Sequence, residues 1–74
     1  DLRLSNLKGL KLKNAVLAYA DLQQSNLFRV NLQQAILIRT NLKKSYICQA
    51  NLRMASLFKA GLEGAKLTGS NIRS

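Results

Sequence analysis

The sequence predicts an all-β fold, a parallel solenoid whose chain turns a corner every five residues. Three regularities predict it. Leu or Ile stands at positions 2, 7, 12, 17, 22, 27, 32, 37, 42, 47, 52, 57, 62, 67 and 72, without a break. Two residues before each of these the chain is small in nearly every unit, from Ser5 and Ala15 to Ala65 and Ser70, with Leu10 and Val30 the bulky exceptions. One residue before, Asn or Asp is commonest, as at Asp1, Asn6, Asp21, Asn26, Asn31, Asn41, Asn51 and Asn71.

A spacing of five matches neither the 3.6-residue turn of a helix nor the alternation of a flat strand, so neither puts all these leucines on one side. A chain that turns a corner every five residues does. Four such segments close a square coil of about twenty residues, and successive coils stack at the strand spacing of about 4.8 Å. In that geometry the Leu and the small residue two before it point inward. The small residue is required because four chains crowd one layer. The remaining three positions of each unit face solvent. A leucine-rich repeat would need 20 or more residues per unit with several fixed leucines, which this pattern lacks.

Units such as Ala20-Asp21-Leu22-Gln23-Gln24, Ala50-Asn51-Leu52-Arg53-Met54 and Ala60-Gly61-Leu62-Glu63-Gly64 resemble the A(D/N)LXX motif of pentapeptide repeat proteins, and the resemblance runs through the whole chain. It implies a right-handed quadrilateral parallel β-helix of about four coils, with parallel strands or bridges on each side. The handedness comes from the resemblance alone. A bacterial origin is likewise an expectation that it carries.

The chain has 74 residues and is expected to be a single domain, residues 1–74, belonging to a longer protein. A core of that size is marginal. One cysteine, Cys48, allows no intrachain disulfide, and the absence of histidine leaves few ligands for zinc. Packing and backbone hydrogen bonds must therefore supply the stability. No stretch approaches the roughly 18 apolar residues of a membrane span. A soluble, cytoplasmic chain is expected.

Residues twenty apart should stack, so each outward residue can be placed on a face. The face of Leu2, Leu22, Leu42 and Leu62 is polar apart from Leu4, and Lys43 and Glu63 are expected to form an exposed ion pair on it. On the face of Leu12, Leu32, Leu52 and Ile72, Asn31, Asn51 and Asn71 are expected to exchange side-chain hydrogen bonds as a vertical ladder. The face of Leu17, Leu37 and Leu57 differs: its outward positions include Val16, Ala18, Tyr19, Ile36, Ile38 and Phe58, with Arg39, Ser56 and Lys59 the polar ones. A face expected to adjoin it adds Phe28, Tyr46 and Cys48. A contiguous apolar cluster on a small domain marks an interface, so Val16, Tyr19, Phe28, Ile36, Ile38, Tyr46 and Phe58 are the candidate protein contacts.

Twelve Lys and Arg against three acids give a net charge of +9. This raises nucleic acid, acidic membrane and acidic protein surfaces as partners. Most basic residues occupy the two positions after the central Leu, at the corners of every face. Nucleic-acid binding normally needs a concentrated basic stripe, which this distribution does not supply. Arg39 over Lys59, and Arg53 over Arg73, are like-charged neighbours placed to cradle an anion. Some pentapeptide repeat proteins protect DNA gyrase by mimicking DNA, but that requires an acidic surface, and +9 argues against it here.

The chemistry of catalysis is missing. With no histidine there is no Ser-His or Cys-His arrangement, and Cys48 has no activating base nearby in the pattern. The acids Asp1, Asp21 and Glu63 are expected on one hydrated face, too far apart to tune one another. Gly9, Gly61, Gly64 and Gly69 form no phosphate loop, and Gly64 and Gly69 fit corners instead. The sequence thus points to a non-catalytic protein-interaction or structural scaffold module without cofactor, metal or small-molecule substrate. A basic, anion-directed module for nucleic acid or acidic membrane is the alternative.

Overall fold

The computed structural model describes residues 1–72. Every segment of five has the same backbone course. A bridge residue precedes the central Leu, two turn residues follow it, and a linking residue leads into the next bridge. The bridges are parallel and join residues twenty apart, as in Asn6 with Asn26, Val16 with Ile36 and Ile36 with Ser56. Four five-residue segments therefore lie between one residue and the residue stacked on it.

Each unit satisfies its backbone in a fixed way, shown here by the unit around Leu22. The Leu22 amide donates to the Asn41 carbonyl at 2.8 Å and the Gln24 amide to the Lys43 carbonyl at 2.9 Å, both one coil on. The Ser25 amide closes the corner by donating to the Leu22 carbonyl at 3.2 Å. In the reverse direction, the Asn41 amide donates to the Ala20 carbonyl at 2.9 Å. This leaves one amide per unit, that of the residue just after the Leu. Where Asn or Asp precedes the Leu, its Oδ1 accepts that amide: Asn26 from Phe28 at 3.0 Å, Asn31 from Gln33 at 3.0 Å, Asn51 from Arg53 at 3.0 Å. The Asx residue is thus a corner cap.

This replaces the ladder expected for Asn31, Asn51 and Asn71. Their bridges are backbone bridges, and the Asn31 and Asn51 side chains bond along their own segment rather than up the stack. The local amide is already within reach and has no other acceptor, so it takes the side-chain oxygen.

The second corner residue has positive φ throughout, and eleven such residues are not glycine, among them Leu4 (62°), Tyr19 (64°), Gln34 (60°) and Lys44 (57°). A left-handed residue costs roughly 1–2 kcal/mol. The stacked hydrogen bonds on both sides of each corner hold these residues there. Gly9, Gly64 and Gly69 occupy the same position at 70°, 71° and 74°.

Inside, the central residues form an unbroken column. Leu22, Leu27, Leu32, Leu37, Leu42, Ile47 and Leu52 are at most 1% exposed. The small position is buried with them: Ala35 and Ala50 fill it with a methyl, and Ser25, Thr40 and Ser45 fill it with a hydroxyl. Those hydroxyls are all paired. Ser25 donates to the Leu22 carbonyl at 2.8 Å and Ser45 to the Leu42 carbonyl at 2.7 Å. Thr40 reaches one coil back to the Leu17 carbonyl at 2.8 Å. Val30, a bulky exception in the pattern, is fully buried, whereas Leu10 in the first coil is 44% exposed.

Candidate functional site

The register separates the outward residues more sharply than the sequence reading did. Val16, Ile36 and Ser56 stack by parallel bridges, as do Asn26, Tyr46 and Lys66. The two columns are ten residues apart in a twenty-residue coil, which is half a turn. The face carrying Phe28, Tyr46 and Cys48 is therefore opposite the apolar face and does not adjoin it. The candidate interface divides in two: Val16, Tyr19, Ile36, Ile38 and Phe58 on one side, Phe28 and Tyr46 on the other.

The first group is open to solvent. Tyr19 is 73% exposed, Val16 70% and Phe58 65%, with Ile36 at 38% and Ile38 partly buried beside it. On this face Val16, Ile36 and Ser56 occupy the corner-cap position, so the amides of Ala18, Ile38 and Phe58 receive no Asx oxygen. Aliphatic side chains stand where asparagine would add a hydrogen bond.

The opposite face joins aromatic rings to cations. Phe28 has the Lys8 ammonium 5.7 Å and the Arg29 guanidinium 5.3 Å from its ring centre. The Lys66 ammonium lies 5.1 Å from the Tyr46 ring. These contacts stabilise by about 0.5–1 kcal/mol each at exposed sites. Cys48 is half-buried on this face, with its thiol 3.8 Å from the Lys66 carbonyl. At the corner beside it runs an open groove of about 380 Å³, lined by Leu4, Gln24, Lys44, Tyr46, Gly64 and Lys66. The sequence reading missed this groove, although its columns 4, 24, 44, 64 and 46, 66 are legible once the twenty-residue register is applied across a corner.

The candidate anion contacts Arg39 and Lys59 occupy the same corner position in successive coils. Arg39 and Lys59 are both exposed, and the Lys59 ammonium leans over the Phe58 ring at 5.5 Å. Arg53 is exposed, and Arg73 lies outside the described residues.

The acids are also arranged differently from expectation. Arg3 pairs with Asp1 at 3.0 Å and reaches Asp21, one coil on, at 3.8 Å, so Asp1 and Asp21 share one guanidinium. Lys43 and Glu63 form no ion pair among the described residues; an exposed pair gains too little to fix two flexible side chains. The Asp21 carboxyl is held below its ordinary range, chiefly by the Gln23 side-chain amide, which donates to Oδ1 at 3.0 Å, with smaller help from the Gln23 backbone amide and Arg3. A general acid needs the opposite shift. Among the described residues, no three of His, Cys, Asp and Glu gather as metal ligands, and no helix is long and apolar enough to cross a membrane.

Comparison with known proteins agrees with this geometry. The family model for pentapeptide repeats matches residues 1–34 and 35–73, with 8 copies. A pentapeptide repeat protein of the cyanobacterium Cyanothece 51142, Rfr23, superimposes with a TM-score of 0.64 at 26% identity, over 95% of this chain and 54% of its own. A pentapeptide repeat protein of the Arabidopsis thaliana thylakoid lumen superimposes with a TM-score of 0.63 at 22% identity, over 100% of this chain and 55% of its own. The chain thus spans about half the length of these structures. No curated protein matches it significantly. The five-residue backbone course, the inward Leu column and the near-complete family match together show that the chain belongs to the pentapeptide repeat family.

Proposed function

We propose that this chain is a non-catalytic protein-interaction or scaffold module, a right-handed quadrilateral shaft of about four coils that docks through an outer face. The face of Val16, Tyr19, Ile36, Ile38 and Phe58 is the docking surface. The observation that carries this reading is its solvent-exposed apolar cluster, with Tyr19, Val16 and Phe58 each about two-thirds or more exposed. Large apolar side chains gathered on one side of a small domain favour burial against another protein. The corner positions strengthen the reading. Asn or Asp caps the free amide in most other units, Lys11, Tyr46, Gly61 and Lys66 being exceptions, whereas here Val16 and Ile36 forgo a hydrogen bond worth about 1 kcal/mol in favour of exposed apolar surface. The partner is a second copy of the chain or another protein with an apolar surface. Arg39 and Lys59 at the rim favour acidic residues around that surface.

The test replaces Ile36 and Ile38 with Lys and follows mass by light scattering across a concentration series, with affinity capture in parallel. Association or capture that the double variant loses, and that salt barely weakens, supports apolar docking. A wild type and variant that are both monomeric and capture the same proteins would refute it.

A further inference from the structure

The corner groove has its Tyr46 and Lys66 side half a coil from the Val16 and Ile36 column and its other wall a quarter coil from the Tyr19 and Arg39 column, and it shares no residue with the apolar face. We propose that it binds an extended acidic peptide segment of a partner protein. Its wall is a column with one residue per coil: Leu4, Gln24, Lys44 and Gly64. Three coil rises of about 4.8 Å give a trough roughly 14 Å long, the reach of about four extended residues at about 3.3 Å each.

Charge and chemistry fit the same occupant. Lys44 and Lys66 lie toward one end, and no carboxylate lines the groove. Neither ammonium is in an ion pair among the described residues. The Gln24 amide can both donate to and accept from a peptide backbone, and the Tyr46 hydroxyl can do the same. Leu4, 73% exposed, offers an apolar contact at the other end. An extended segment with acidic side chains at one end and an apolar one near the other matches these groups in order.

Single-stranded nucleic acid fits less well. The rings of this side already carry cations, Tyr46 that of Lys66 and Phe28 those of Lys8 and Arg29, which compete with base stacking on them. The trough stays open because Gly64 has no side chain: a Cβ there would lie 3.1 Å from Lys44 Cγ. Gly64 has φ of +71°, which asparagine tolerates better than other side chains, so Gly64→Asn would block the groove without changing charge.

The experiment measures fluorescence anisotropy of labelled hexaglutamate at physiological salt, with circular dichroism confirming the fold of each variant. Lys44→Ala with Lys66→Ala should weaken binding by about tenfold or more, the loss expected from charge-assisted hydrogen bonds at a half-open site. Lys11→Ala with Lys13→Ala, on another face, removes equal charge and should weaken it by about twofold at most. Gly64→Asn should weaken it by about tenfold at constant charge. Equal losses in the two lysine pairs would overturn the proposal, because net charge alone would then drive binding. So would no binding at all, or competition by oligothymidylate or inorganic phosphate at lower concentration than by unlabelled hexaglutamate. Should Gly64→Asn disturb the fold, the comparison of the two lysine pairs decides.

Discussion

Leu2 and Leu42 occupy the same position of the repeat on the same face, yet truncating them should have very different consequences. Leu42 is fully buried, with a coil stacked on either side, while Leu2 is 38% exposed. Removing a fully buried leucine loses its transfer free energy and leaves a cavity, together about 3–5 kcal/mol. The cavity cannot easily collapse, because ladder bonds such as Leu42 to Gly61 (2.7 Å) and Asn41 to Ala20 (2.9 Å) fix the wall. Leu2 has lost part of that burial already, and its wall can relax at the open end, so Leu2→Ala should destabilise by only about 1 kcal/mol. A domain of this length has a total stability of roughly 4–11 kcal/mol. Leu42→Ala should therefore bring the 74-residue chain close to unfolding at room temperature, and Leu2→Ala should leave it folded. Urea titration followed by far-ultraviolet circular dichroism would measure both, with the slope checked for constancy because repeat arrays can lose cooperativity. Equal costs for the two variants would refute the reasoning, since burial by neighbouring coils would then not set the contribution of each leucine.

Further outcomes follow from the hydrogen bonds and the corner geometry. Asn31→Ala removes the Oδ1 that accepts the Gln33 amide at 3.0 Å and should destabilise by about 1 kcal/mol in the same titration, whereas Ile36→Asn should supply such an acceptor to the Ile38 amide and leave stability unchanged or higher while breaking the apolar patch. Gln34→Gly relieves a left-handed residue at φ of 60° but frees the unfolded chain, so the net change should stay within about 1 kcal/mol; a larger loss would show that the Gln34 side chain itself holds the corner. Asp21 titrates below its ordinary value in the folded state, so its contribution to stability is present above the unfolded pKa of about 3.8 and is lost as pH falls through the lower folded value. Carbon-detected NMR titration should show that low value rising toward the ordinary range in Gln23→Ala.

The repeat made most of the fold legible. A period of five in Leu and Ile can face one interior only if the chain turns at each unit, so the inward columns, the stacking of residues twenty apart and the corner role of Gly64 and Gly69 were readable without coordinates. The polar details were less so, because a side-chain oxygen chooses among acceptor-starved amides by distance. Asn31 could have bonded upward to Asn51 or along the chain to Gln33, and composition does not separate these. Arg3 could likewise have joined Asp1 alone, but its length lets it span a coil to Asp21 as well.

By itself, the sequence determined which residues are buried in kind: one large apolar and one small residue per unit, repeated until a shaft results. The tertiary structure decided how much each is buried, since Leu2 and Leu42 differ only in whether coils lie on both sides of them. It also decided what meets on the outside. Phe28 and Tyr46 were placed beside the apolar face by the sequence reading, but ten residues in a twenty-residue coil carry the chain to the far side. Lys44, Gly64 and Lys66 belong to different segments, and they line one groove because a corner folds neighbouring faces together. Periodicity fixes which columns recur and which adjoin across a corner, whereas the open space between their side chains exists only once the coil has closed.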